Sequence, residues 1–478
     1  MQAQTELWPT RETRTKRIAV VTIGGTVFMT GAPLKPGEVK LPNLRSFSKQ
    51  SSLSDGFSPE RVQIAHHHLF NIDSARIRTG RLNKLGRKLA QLSNDKRIDA
   101  IVVLSGTDKM HRIVTRLAHH LHDLGKPVVF TGAQIELTKQ GSDAKRNYEH
   151  AIRTAWFLSH AKYNQVVLSF GRNTVDEGAE VHHALNVLKF KPDELDAFDH
   201  PNKRVIARVK YDQEVKLTRQ GKKLFGPKLL KDLLRNGHGS IKPPRPDRRK
   251  KPRATFDTIK EDLIDMIDAS ETKSLKKIRV RNDSEVIILH ASGKGNVNQP
   301  ILQKIAKRAG NRPVIVTTEA GADVNLAAYE PGRDALAHGM LPSGGLIPIS
   351  AQIRAEYLAH HMAAIKQYAS QNCPRESDRN DFERKLFAGL YLSGAQFRGK
   401  ITQKKHEEAL GITIPKHDLL INRSIQSAIR LAHNEIFKKP PTQTSSKPKR
   451  YEMSPQNRTR TDRLTIQTER SLPPFKKR

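Results

Sequence analysis

Apolar residues fall in short runs separated by longer stretches with helical spacing, and the alternation is clearest from about Ile18 to Pro201. The runs IAVVTI, AIVVLS, PVVFTG and QVVLSF are continuous rather than alternating, as strands buried on both faces read. Between the second and third, HRIVTRLAHHLHDLG carries apolar residues at helical intervals and is expected to end on Gly125 as a C-cap. This βαβ alternation predicts an α/β fold with a doubly wound, mostly parallel sheet and right-handed crossovers. Sites in such sheets collect beyond the carboxyl ends of the strands, so chemistry is expected just after each apolar run.

The pattern lapses between Lys203 and Arg281, where IKPPRPDRRKKPR combines proline with like charges. It resumes with EVIILHASGKGN and NRPVIVTTEAG as predicted strands and ISAQIRAEYLAHHMAAIKQYA as one predicted helix. The expected organisation is an N-terminal extension (1–17), an N-terminal α/β domain (18–202) and a basic linker or insertion (203–281). A smaller C-terminal α/β domain (282–376), a helical extension (377–437) and a basic disordered tail (438–478) follow.

Composition changes this picture in three ways. The net charge of +36 makes polyanions such as nucleic acid candidate partners, through 203–253 and 438–478, although these segments have little aromatic interleaving for base stacking. Cys373 is the only cysteine, which excludes an intramolecular disulfide and argues for a reducing compartment. No run approaches the roughly 18 apolar residues of a membrane span, and the polar start MQAQTELWPTRETRTKR does not read as a signal peptide, so a cytoplasmic location is expected.

The first strand ends in TIGGTV, where two glycines permit a close turn that presents the hydroxyl of Thr26. Taken alone, GGT after a strand is also a common tight turn. The second main strand ends in SGTDKM, so Thr107 and Asp108 could activate a nucleophile, grip an amino group, or cap the following helix. Asp73 and Ser74, in LFNIDSARI, read alone as a turn or cap. The run His66, His67, His68 cannot turn three rings to one ion from a strand, so neither a metal nor a cofactor is expected.

In order and spacing, TIGGTV, SGTDKM, KPVVFTGAQ with SDAKRN, and DAFDHPN resemble the bacterial-type L-asparaginase family, which carries T-G-G-T, H-G-T-D-T-M, K-P-V-V-L-T-G-(A/S)-Q with S-D-G-x-x-N, and D-A-F-x-S-P-N. In the second half, GKGN at 293–296 and GRDALAHGMLPSGG resemble the family's glycine loop and its A-L-A-x-A-G block. The likeness covers roughly 18–202 and 284–372, and more weakly FRGKIT at 397–402. It implies that Thr26 attacks the side-chain amide of L-asparagine or L-glutamine to form an acyl-enzyme, supported by Thr107, Asp108 and Lys189. Asp73 and Ser74 would hold the ligand's α-amino and α-carboxylate groups. Asn296 would stand near the site of a homodimer or homotetramer.

Three departures from the family pattern bear on this. No tyrosine occurs in the loop after Thr26, where the family places one that closes over the nucleophile; the first is Tyr148. Ser105 stands where the family has histidine, and Ile23 where it has threonine. Lys189 has a rival two residues on, Lys191, and HHALNV before it lacks the family's R-x-x-K. The alternative is therefore a weakly active or inactive protein on this scaffold that binds RNA, DNA or another polyanion. A related reading, the asparaginase-like subunit of tRNA-dependent amidotransferases, ranks lower because the first strand comes almost at once, without that subunit's N-terminal extension.

Overall fold

The computed structural model describes residues 15–25, 62–172, 178–185, 187–199, 205–210, 215–219, 221, 253–260, 262–270, 278–293, 295–318, 324, 326, 330–343 and 346–372, with short pieces as far as 391. Residues 1–14, Thr26 and the loop after it, the segment 241–252, Cys373, FRGKIT and the tail 438–478 lie outside the described residues.

In chain order, β1 (Lys16–Thr22) and β2 (Val62–His68) precede α1 (Thr79–Asn94) and β3 (Ala100–Leu104). Next come α2 (Met110–His120), the two-residue β4 (Leu121–His122), β5 (Val128–Thr131), α3 (Ala144–His160) and β6 (Val166–Gly171). Then β7 (Ala179–His183) leads to a small hairpin, β8 (Leu188–Lys189) and β9 (Phe198–Asp199), before β10 (Val205–Val209) and β11 (Val215–Leu217). The large sheet has the order β11-β10-β7-β6-β5-β3-β1-β2. Its strands from β6 to β2 are parallel, and β7, β10 and β11 are added antiparallel.

The continuous apolar runs arise because helices cover both faces. Ile18 and Val20 of β1 point into a core with Tyr148, Ile152 and Trp156 of α3. Their neighbours Ala19 and Val21 point the other way, toward Leu85 and Leu89 of α1 and Ile113 and Leu117 of α2. Tyr148 is thus a buried packing residue.

The second sheet is wholly parallel, in the order β13-β14-β15-β16. Its strands are β13 (Ile264–Asp268), β14 (Val286–Ala291), β15 (Val314–Thr318) and β16 (Leu341–Pro342). Among the described residues, the helices that accompany it are α4 (Gln299–Ala309), α5 (Glu330–Ala337), α6 (Pro348–His360) and α7 (Met362–Asn372). Helices α2 and α6 pack together, and Arg116 clamps Glu356 across them with contacts of 2.9–3.2 Å.

The structure departs from the sequence expectations at three places. Gly125 does not cap α2; the helix ends at His120 because Leu121 and His122 pair with Thr255 and Phe256, strand β12. The stretch expected as a linker, 203–281, supplies β10 and β11 to the large sheet and β13 to the second one. These strands are too short, and too mixed with charge, to stand out as apolar runs. The single helix expected over 349–369 is two helices broken at His361, whose Nε2 lies 3.3 Å from the Asp257 carboxylate.

That carboxylate also accepts from His122 at 2.8 Å. Burial alone would raise the Asp257 carboxyl, but His122 and His361 outweigh it and hold it well below the usual range. Other histidines are buried without an acid strong enough to keep them charged. Burial, with neighbouring positive charge adding to it, pushes His120 and His150 down to about 3 and His111 to about 4; burial likewise takes His160 to about 4. In the unfolded chain each protonates near pH 6.5, so below that pH the unfolded state takes up protons that the fold refuses. Each such residue then costs about 1.4 kcal/mol per pH unit until its folded pKa is reached. Stability should therefore be insensitive to these groups above pH 7 and fall steeply from pH 6.5 toward 4.5. Urea midpoints measured across that window check this, and a flat midpoint would contradict it.

Candidate active site

The order β2-β1-β3-β5-β6 places a topological switch between β1 and β3, where the chain leaves the sheet in opposite directions and opens a crevice at the carboxyl edge. The segments after β1 and β3 meet there. Gly24 and Gly25 adopt φ of +101° and +104°. A Cβ on Gly25 would stand 2.2 Å from the backbone N of Gly106, so the two turns touch with no room for a side chain. On its other side Gly106 abuts Ser74, whose hydroxyl lies 2.7 Å from the ideal Cβ position. Three sequence motifs thus converge on one point. Thr26 is the next residue after Gly25 and lies outside the described residues.

Thr107 and Asp108 do not cap α2: Lys109 occupies the cap position with no side-chain bond to the helix. Their side chains go to Lys189 instead. Lys189 Nζ donates to Thr107 Oγ1 at 2.9 Å and to Asp108 Oδ1 at 2.8 Å. The lysine side chain is 11% exposed while Asp108 is 59% exposed, so the ammonium is enclosed and the carboxylate faces the crevice. Of the two lysines, Lys189 makes these contacts, whereas Lys191 turns away to Glu194 at 2.6 Å and Asp196 at 2.8 Å. Lys189 reaches the edge because Leu188 and Lys189 pair with Asp199 and Phe198 in the hairpin.

A residue that carried no predicted role joins the cluster. Gln134 Oε1 accepts the Thr107 hydroxyl at 2.8 Å, and its Nε2 donates to the carbonyls of Pro192 at 2.7 Å and Glu194 at 3.1 Å. Thr107 is thereby held between the lysine and the turn of the lysine's own hairpin. Gln134 is fixed in turn by Asp143, whose buried carboxylate accepts from the backbone N–H groups of Gln134 and Ile135 and from Asn147 Nδ2. The signal was present, in KPVVFTGAQ and SDAKRN, but nothing in spacing says that one motif clamps the other.

The remaining predicted residues divide. Ser74 is buried, and its hydroxyl has no hydrogen-bond partner among the described residues. Asp73 is exposed and accepts Ala75 N at 2.9 Å, so it is the cap of a short 3-10 helix (Ser74–Arg76) as well as a neighbour of the crevice. Ser105, in the histidine's place, donates to Gly106 O at 3.0 Å. Asn296 lies in the second sheet's loop after β14 and bonds through its backbone to Ser292; its described contacts do not bring it to the Lys189 cluster. Next to the cluster, His111 is held neutral, chiefly by burial and then by Arg112 and Lys189.

A mostly parallel α/β sheet with a polar cluster at its switch point defines a doubly wound α/β protein. The asparaginase N-terminal family model matches residues 17–222. A glutamyl-tRNA(Gln) amidotransferase subunit from Thermococcus kodakarensis is 25% identical over 302 residues, covering 63% of this chain and 62% of the relative. The L-asparaginase of the same organism is 25% identical over 292 residues, covering 60% and 76%. The solved thermostable L-asparaginase from Thermococcus kodakarensis superposes with a TM-score of 0.54 at 22% identity, covering 78% of this chain and 98% of its own, which shows a shared fold. Over residues 17–222 the chain thus matches the asparaginase N-terminal family model, and it shares the fold of a solved L-asparaginase. It spans about three fifths of the length of the first of these relatives.

The Asp143 clamp yields a test. Asp143→Ala removes a fully buried acceptor from two backbone N–H groups and one side-chain amide. An unsatisfied buried donor costs about 1–3 kcal/mol, so unfolding free energy should drop by about 3 kcal/mol or more. A urea titration that finds less than about 1 kcal/mol lost would show that water or other groups replace the carboxylate.

Proposed function

We propose that this chain is an amidohydrolase that converts L-asparagine, and L-glutamine as a second substrate, to the acid and ammonia. The observation that supports it best is the enclosed Lys189 ammonium, 2.9 Å from the Thr107 hydroxyl and 2.8 Å from the Asp108 carboxylate, beside the turn that leads to Thr26. In this reading Thr26 Oγ adds to the side-chain amide carbonyl and the tetrahedral intermediate collapses with loss of ammonia. The Lys189 ammonium gives a proton to the departing nitrogen and takes back, by way of Thr107, the proton leaving Thr26, while the hairpin register holds the lysine in reach. Water then cleaves the acyl-enzyme to the acid and restores the Thr26 hydroxyl. The exposed carboxylates of Asp73 and Asp108 suit the substrate's α-ammonium group, and the Ser74 hydroxyl, which has no hydrogen-bond partner among the described residues, suits its α-carboxylate. The enzyme acts in the cytoplasm as a homodimer or homotetramer.

The likeness to an amidotransferase subunit favours a second reading, in which glutamine is the natural substrate and the ammonia goes to a partner protein. The polyanion-binding reading rests on 203–253 and 438–478, which lie largely outside the described residues.

Ammonia release by the purified chain from each amino acid separates these. Turnover of asparagine is expected, abolished by Thr26→Ala and reduced roughly 100- to 10,000-fold by Lys189→Met. Turnover of glutamine alone would support the second reading. No release from either amide, with Thr26→Ala indistinguishable from wild type, would defeat both. Deletion of 438–478 tests the polyanion reading separately: RNA affinity at low salt should fall, and unchanged affinity counts against it.

A further inference from the structure

The β8–β9 hairpin has two sides. Lys189 turns toward Thr107 and Asp108, and the next side chain, Phe190, is directed the other way and stands 62% exposed. On that far side, between the hairpin and the strands β7 and β10 of the large sheet, lies a cleft of about 660 Å³. Thr107, Asp108 and Gln134 do not line it, so it is separate from the candidate active site.

His182 on β7 lies at the base of this cleft, 1% exposed, with no hydrogen-bond partner for its Nδ1 among the described residues. Burial pushes its imidazole below the usual histidine range. One wall is cationic. Glu180 accepts from Arg208 at 2.9 Å and lies 3.8 Å from Arg172, so a single carboxylate sets two guanidiniums side by side, and the exposed Arg219 joins them on the lining. The hairpin contributes Phe190, the Lys191–Asp196 ion pair, Asp199 and Phe198, the last packed edge-on against Phe170 at 4.8 Å.

Size and chemistry together narrow the ligand. A lone exposed phenylalanine is ordinary on a protein surface, but one on the lip of an arginine-walled cleft offers a stacking face beside anion donors. A cleft of this volume is in the range of small-molecule sites and would be left mostly empty by an inorganic anion. We propose that this cleft binds a nucleotide, with its phosphate on Arg172, Arg208 and Arg219 and its base against Phe190. The same chemistry is met in a free mononucleotide and in the unpaired terminal nucleotide of an RNA.

Calorimetric titration of the full chain with AMP, with ribose 5-phosphate and with inorganic phosphate tests the proposal. One AMP per chain is expected, bound at least about tenfold more tightly than either fragment-sized anion, because base stacking adds about 1–3 kcal/mol. Phe190→Ala and Arg219→Ala, both at exposed positions, should each weaken AMP about tenfold or more. A single-stranded RNA oligonucleotide that competes with AMP, and does so less well in Phe190→Ala, would identify RNA as the source; competition by free nucleotides alone would identify the mononucleotide. The proposal is overturned if millimolar AMP does not bind, if ribose 5-phosphate or phosphate binds as well as AMP, or if both variants bind AMP like wild type. The last result would assign the nucleotide to the basic segments instead.

Discussion

Everything at the carboxyl edge depends on how closely two backbones approach. Gly25 and Gly106 meet at a distance that leaves no space for a single methyl group between them, and each belongs to a turn that follows a central strand. A wider gap would separate the hydroxyl-bearing segment after β1 from Thr107 and Asp108 after β3. The switch in strand order creates the crevice, and the paired glycines bring its two walls into contact. Ser74, packed against the far side of Gly106, ties a third segment to the same point.

The Lys189–Asp108 ion pair contributes little to holding this arrangement. With Asp108 59% exposed, such a pair is worth about 0–1 kcal/mol. Position is set instead by other hydrogen bonds. The hairpin register places Lys189, Gln134 ties the hairpin turn to Thr107, and Asp143 fixes the backbone of Gln134 from a fully buried site. The lysine and Asp108 are thus presented by a framework that does not rely on their attraction. This arrangement leaves the Asp108 carboxylate available to a ligand.

The strands that carry the crevice were legible because helices bury them on both faces and so write them as unbroken apolar runs. The additions at the sheet edge were not: VIARV and VKL are short and carry charge, since one side of an edge is wet. The end of α2 was hidden for a related reason. Gly125 looks like a cap, but pairing with Thr255 and Phe256, more than a hundred residues away, stops the helix earlier. Among site residues, Lys189 and Lys191 could not be separated by composition, because what distinguishes them is which one meets a carboxylate within its own turn. Thr107 was legible as a hydroxyl at a strand end, whereas its partner Gln134 required knowing that two turns face each other. The His-rich packing of α2 against α6 left its mark in HRIVTRLAHH and EYLAHH, yet only the structure shows that Asp257 faces His122 and His361 together.

The absence of a tyrosine between Thr26 and Arg45 acquires its meaning from the exposure of the cluster. Interactions with a developing oxyanion are strong only where water is excluded, since solvent weakens them by its high dielectric constant. Here Lys189 is enclosed by Thr107, Asp108 and its hairpin, but the acid beside it opens to the crevice. Binding of the α-ammonium needs only that open carboxylate. Bond cleavage needs the crevice covered as well. In the proposed reaction, affinity would therefore draw on residues already assembled at the sheet edge, and turnover on what the sequence after Thr26 supplies in place of an aromatic hydroxyl.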